Sequence, residues 1–227
     1  MKSENPLIAL KEKGQLIIPE KEAKEILEYA GIPTTRCYAV TSREQAINAA
    51  REMSYPVALK ISSPHILHKS DLGGVCLNLN SDEDLAGSFE RLLNITRAYK
   101  QQVDIVIQKM APPGVELILG VFNDVHFGPV IMLGLGGIFT EVFKDLTYRL
   151  IPVEEGDARK MIASLKCHPL LEGFRGLDPV NQEAIQEAVL SVSFLALENP
   201  EIKELDINPL AVYKSGVLAL DARMVLF

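Results

Sequence analysis

Two histidines, a lysine and a glycine pair crowd into Ser62–Val75, SSPHILHKSDLGGV. A histidine can act as acid, base or nucleophile near neutral pH. Adjacent glycines such as Gly73 and Gly74 let backbone N–H groups approach an anion closely. His68 is favoured over His65 because Lys69 and the flexible glycine pair follow it. His126, in a turn, and His168, before Pro169, read as structural or exposed.

Other chemistry-bearing residues stand at strand ends. Lys60 closes the apolar run VALK, where a lysine either snorkels to water or meets an anion. Gln108-Lys109-Met110 ends another apolar run and enters APPG. Backbone groups there can read the edge of an adenine ring, and Met110 can pack on its face. Glu116 interrupts the strand-like VELILGV and needs a partner, such as a ribose hydroxyl or a cation. In LDINPL, Asp206 and Asn208 stand two apart and share a strand face. Asp221 ends VLALD. A hairpin turning through Lys214–Gly216 would bring Asn208 and Asp221 together. Such a pair suits Mg²⁺, which takes hard oxygen ligands, although acids at strand ends also cap turns. Gly134-Leu-Gly136 does not complete GxGxxG, because Phe139 occupies the third glycine position. GxxxxGK[ST], GxSxG, CxxC and HExxH are absent.

These residues require elements to hold them. The spacing predicts helices over 20–30, from Ser42 to about Met53 with Gln45 as a capping partner, and over 82–99, 154–165 and 180–197. Strands are expected over 35–40, 57–61, 75–79, 104–110, 115–121, 129–133, 204–213 and 217–220. Short turns (APPG, FNDVHFG) separate the strands starting at 104, 115 and 129, which suggests that they form one antiparallel sheet. The change of texture near Gln101–Asp104 divides the chain into 1–102 and 103–227. The result is an α+β protein of two lobes with room for a ligand between them.

Composition limits the function. The 227 residues are 48% hydrophobic, enough for a core. No apolar run reaches the roughly 18 residues needed to span a bilayer, and the N-terminus lacks a signal-peptide apolar region. A cytoplasmic protein without membrane partners is expected. The net charge of −7 disfavours nucleic acid as a partner. Cys37, Cys76 and Cys167 are far apart and odd in number, and read as small buried side chains in a reducing compartment.

Together SPHILHKSDLGGV, GVELILG, GLGGIFTEVFKD with YRLIPV, and ELDINPL with LALDAR resemble the ATP-grasp fold. More closely, they are similar to the β-subunit family of ADP-forming acetyl-CoA synthetases, relatives of succinyl-CoA synthetase. The resemblance covers most of the chain. It implies an ATP-grasp fold of two α/β lobes with the nucleotide between them, ATP/ADP and Mg²⁺ as cofactors, and phosphate transfer through a phosphohistidine. The implied reaction is acyl-CoA + ADP + phosphate ⇌ acid + CoA + ATP. By the resemblance, Lys60 holds nucleotide phosphates. Gln108, Lys109 and Met110 form the adenine hinge, with Glu116 nearby. Arg149 contacts phosphate, and Asn208 and Asp221 bind metal. His68 carries the phosphate, with Asp206 beside it. The sequence holds no candidate CoA-binding Rossmann segment, so a CoA-binding α subunit is expected as partner, in an α2β2 assembly. Two other readings stay open: a carboxylate ligase working through an acyl phosphate without phosphohistidine, and a non-catalytic nucleotide-binding regulatory subunit.

Overall fold

The computed structural model describes residues 5–12, 14–63, 66, 69, 72–99, 103–137, 144–176 and 178–227. The chain forms two compact units, Thr35–Pro112 and Met1–Thr34 with Pro113–Phe227.

The first segment of the larger unit carries α1 (Pro6–Glu12), β1 (Ile17–Ile18) and α2 (Glu20–Tyr29). Asn5 opens α1 by accepting the Leu7 amide (3.0 Å), with Pro6 in the first helical position.

The smaller unit runs β2 (Cys37–Val40), α3 (Arg43–Met53), β3 (Val57–Ser62), β4 (Val75–Leu79), α4 (Asp82–Arg97) and β5 (Asp104–Lys109). Its sheet has the order β2-β5-β3-β4 with every pair antiparallel. Both helices begin with the same device. Ser42 accepts the Gln45 amide, and Ser81 accepts the Asp84 amide. The side chains of Gln45 and Asp84 then reach one residue beyond the cap, to the amides of Thr41 and Asn80. The start of α4 is also clamped, since Asp82 receives Arg51 and, at 2.8 Å, the Tyr55 hydroxyl. Ala46, Ala50, Leu85, Phe89 and Leu92 from the helices close over Val57, Leu59, Ile61, Ile105 and Ile107 from the sheet.

The larger unit continues with β6 (Val115–Asp124), β7 (Gly128–Leu135), β8 (Leu146–Leu150), α5 (Glu155–Ala163), α6 (His168–Leu171), α7 (Gln182–Glu198), β9 (Ile202–Tyr213), β10 (Gly216–Ala219) and β11 (Ala222–Leu226). Seven strands follow the order β1-β11-β9-β6-β7-β8, with β10 also on β9. Leu117, Leu119, Ile131, Leu133, Leu205 and Ile207 point from this sheet into a core shared with Ile185, Val189 and Val192 of α7.

Two expectations are corrected. The 102/103 division gives way to one in which residues up to Thr34 join the C-terminal half, because β1 pairs with β11. β5 belongs to the smaller sheet, between β2 and β3, so APPG links two sheets and is not a hairpin turn. β6 and β7 do form the expected antiparallel hairpin. Its turn is fixed by Asp124, whose Oδ1 accepts the amides of His126 and Phe127.

Candidate functional site

In the smaller unit, strand alternation splits β3 into two sets. Val57, Leu59 and Ile61 meet the helices, while Ala58, Lys60 and Ser62 point to the other face. All six residues are buried. Lys60, 5% exposed, stands in register with Val106 and Val75, so a charged side chain rises from the middle of a buried strand face. Gln108 shares that face and is also buried, with the Thr35 hydroxyl donating to its Oε1 at 3.4 Å. A buried cation among polar side chains is a setting for an anionic ligand.

The rest of the expected hinge is partly committed elsewhere. Lys109 Nζ donates to the carbonyls of Ser54 and Tyr55, tying β5 to the end of α3. The Met110 amide donates to the Pro56 carbonyl at 3.1 Å, which leaves the Met110 side chain, not its N–H, for an adenine. The glycine pair is likewise a clasp. The Gly74 amide donates to the Lys69 carbonyl at 2.8 Å, and a Cβ on Gly74 would stand 2.4 Å from the Ile61 side chain. Gly74 therefore closes the base of the loop and does not spend its N–H on an anion. His68, like His65, lies outside the described residues.

In the larger unit, the acidic residues gather at an irregularity of the sheet. Between the pairs Leu117↔Leu210 and Leu119↔Ile207, Asn208 and Pro209 together face Ile118. This is a bulge, a device that re-aims side chains and often adjoins active sites. On the other edge of β9 the partner strand is interrupted at the same level. β10 ends at Ala219, β11 begins at Ala222, and across the gap the Asn208 amide donates to the Asp221 carbonyl at 3.2 Å. Asn208 and Asp221 are thus cross-strand neighbours, with Cβ atoms on the order of 5 Å apart. Among the described residues no three His, Cys, Asp or Glu side chains gather as a metal cage. Two hard oxygen donors fit Mg²⁺ held jointly with the oxygens of a ligand.

Asp206 shares the face of Asn208 and stands between Arg223 on β11 and Gly120 on β6. It is open to water on one side and crowded by protein on the others. That loss of hydration, together with the Asp221 carboxylate, pushes its pKa up to about 6, with Arg223 opposing and Glu204 adding to the rise. Arg223 holds its Nε away from solvent, with no hydrogen-bond partner among the described residues. An unmet buried donor costs about 1–3 kcal/mol, so this nitrogen marks a place for an acceptor. Glu116 lies on the same face further along β6. Its carbonyl accepts the Gly136 amide at 2.8 Å, and a Cβ on Gly136 would come within 2.7 Å of the Leu117 backbone. The glycine-rich run after β7 therefore lies directly on β6 beside Glu116.

Arg149 is not brought to this group. It stands opposite Ile131, on the sheet face that packs against the helices, and its Nη1 donates to the Tyr148 carbonyl at 2.7 Å. Strand spacings put it roughly 15–20 Å from Asn208. It borders a hollow of about 460 Å³ with Phe122, Phe127, Val130 and Tyr148. Sequence reasoning assigned Arg223 no role, although a cation two residues after Asp221 on an alternating strand was a usable signal.

Residues 9–226 match the family described as the ATP-grasp domain. This chain is an ATP-grasp protein. It is 45% identical over 210 residues to the β subunit of acetate–CoA ligase [ADP-forming] I of Pyrococcus furiosus, covering 91% of this chain and 90% of that one. Its fold is similar to dinucleotide-forming acetyl-coenzyme A synthetase 1 of Ca. Korarchaeum cryptofilum, solved with coenzyme A, Ca-AMPCP and HgCl⁺. There the TM-score is 0.91 at 43% identity, covering 97% of this chain and 98% of that one. A second structure of that enzyme holds coenzyme A and Mg-AMPPCP, with its phosphohistidine segment pointing towards the nucleotide-binding site. It matches at a TM-score of 0.82 and 42% identity, over 97% and 98% of the two chains. The expected α+β ATP-grasp class is thereby established.

Proposed function

We propose that this chain is the nucleotide-binding β subunit of an ADP-forming acyl-CoA synthetase, working with a CoA-binding α subunit, in an α2β2 assembly. The observation that carries the reading is the bulged seam at Asn208 and Asp221, with Asp206 and Arg223 on the same face, in an ATP-grasp chain that matches such β subunits over nearly its whole length.

In this reading the α subunit forms an acyl phosphate and takes its phosphoryl group on a histidine. His68 receives the group and passes it to ADP. Asp206 orients the imidazole through its ring N–H. Lys60 offsets charge on the nucleotide phosphates, Gln108 and Met110 flank the adenine, and Glu116 accepts from a ribose hydroxyl. Asn208 and Asp221 hold Mg²⁺, which supplies charge neutralisation at the phosphates. Arg149 has no part in the transfer as drawn here, because of its place on the helix side of the sheet.

The test uses the complex with its α subunit and ATP labelled on the γ-phosphate. Wild type is expected to gain an acid-labile label on this chain, and His68→Ala to lack it while His65→Ala keeps it. Equal labelling of His68→Ala would reject the carrier role. It would favour a carboxylate ligase acting without phosphohistidine.

A further inference from the structure

On the face of the larger sheet turned away from its helices, three groups stand in a fixed order. Glu116 lies opposite Ala211. Asn208 follows at the bulge beside Ile118, with Asp221 across from it. Asp206 comes next, between Gly120 and Arg223. Along β6, the four-residue step from Glu116 to Gly120 is about 13 Å. All of these residues belong to the larger unit, so one sheet sets the order.

Arg223, at the end of this order, is uncommitted. It stands directly opposite Asp206 in the register, where an ion pair was the local option. Among the described residues, however, its side chain makes no hydrogen bond or ion pair, and its Nε is buried without an acceptor. The side chain as a whole is only half-buried. Asp221 and Glu204 act on Asp206 as further negative charges, so this end of the sheet is acidic apart from Arg223.

A nucleoside polyphosphate laid along the order meets a different group at each step. Its ribose offers a hydroxyl to Glu116. Its middle oxygens share a divalent cation with Asn208 and Asp221. Its terminal phosphoryl group, the farthest from the ribose, comes to the row of Asp206 and Arg223. There a carboxylate repels it, and the seam neutralises only the oxygens held at the metal. A guanidinium in that row supplies the missing cation. Its planar fork donates parallel N–H groups to phosphoryl oxygens, and it stays charged at every working pH. The acceptor that Nε lacks is then an oxygen of the ligand.

We infer that Arg223 holds the γ-phosphoryl group of a bound nucleoside triphosphate, and so distinguishes the triphosphate from the diphosphate. The inference rests on the nucleotide-binding reading above, including the place of the ribose at Glu116 and of the metal at Asn208 and Asp221.

The experiment is calorimetry on the complex with its α subunit, comparing Mg·AMPPCP, which carries a γ-phosphoryl group, with Mg·ADP, which does not. Arg223→Gln is expected to weaken Mg·AMPPCP binding at least about tenfold, the loss of one hydrogen bond to a charged group. Mg·ADP affinity is expected to stay within about threefold of wild type. Arg223→Lys, which keeps the charge without the fork, is expected to fall between wild type and Arg223→Gln. An unchanged affinity of Arg223→Gln for Mg·AMPPCP overturns the inference. Equal weakening of both nucleotides also overturns it, by assigning Arg223 to the integrity of the sheet. If Arg223→Gln does not fold, the ratio of the two affinities in Arg223→Lys decides. A shift against Mg·AMPPCP supports the inference, and the wild-type ratio overturns it. A wild-type complex that binds neither nucleotide overturns the nucleotide-binding reading itself.

Discussion

Cys167 illustrates how a single buried side chain ties ionisation to folding. It precedes α6, and its amide donates to Asp145 Oδ2 at 2.7 Å while the Lys166 amide takes Oδ1 at 2.8 Å. Burial and the Asp145 carboxylate push the thiol up to about 12. The unfolded thiol titrates near 8.5. Between these values the unfolded chain loses a proton that the folded chain keeps, so stability falls as pH rises from about 8.5 towards 12. Urea unfolding at pH 8 and pH 10 should show wild type losing more stability than Cys167→Ala, by no more than about 1.4 kcal/mol per pH unit. Equal losses would reject the coupling. Cys37, Cys76 and Cys167 are all buried, as their scatter along the sequence predicts. His126 is exposed in the hairpin turn, and His168 is half-buried against Gln182, which agrees with structural or solvent-facing roles for both.

The irregular seam of β9 gathers Asp206, Asn208 and Asp221 at the bulge opposite Ile118. One prediction belongs to this element. Asn208→Ala combined with Asp221→Ala should weaken Mg·ADP binding at least tenfold in calorimetry while leaving binding of metal-free ADP nearly unchanged. An unchanged Mg·ADP affinity would dismiss the seam as a metal site. The convergence of Asn208 and Asp221 was legible in the sequence, because the Lys214–Gly216 turn and two alternating runs define a hairpin. The helices opened by Ser42 and Ser81 were legible for the same local reason, a capping serine ahead of an apolar period. Partner choice was not. DIVIQK reads as a strand wherever it pairs, and nothing within it says that its neighbours are β2 and β3 rather than β6. β8, LTYRL, escaped notice because an arginine breaks a short run at the sheet edge. β1 has only two residues. ARMVL, by contrast, alternates buried and half-buried residues over β11 and could have been found. So could α1, from Asn5-Pro6 before an apolar stretch.

At the scale of the whole molecule, the two units have separate cores. One is built on α3, α4 and the four-stranded sheet, the other on α2, α5, α7 and the seven-stranded sheet. Leu59 is fully buried in the first. Leu59→Ala should destabilise that unit by about 2–5 kcal/mol. In hydrogen exchange, amides of Thr35–Pro112 should lose protection while those of β6, β7 and β9 keep theirs. Loss of protection throughout the chain would mean one cooperative unit. Among the described residues no helix is long and apolar enough to cross a membrane.

The pairing of Ile17 and Ile18 with Val225 and Met224 sets an order for synthesis on the ribosome. The smaller unit is continuous and can fold once Pro112 has emerged. The larger one must hold its first strand, which ends at Ile18, unpaired until β11 begins at Ala222, 222 − 18 = 204 residues later. At about 5–20 residues per second this wait lasts on the order of 10–40 s. During that time Leu7, Ile18, Ile26 and Leu27, all fully buried in the finished protein, are exposed to chaperones and proteases. The nascent chain is therefore most vulnerable along α1, β1 and α2.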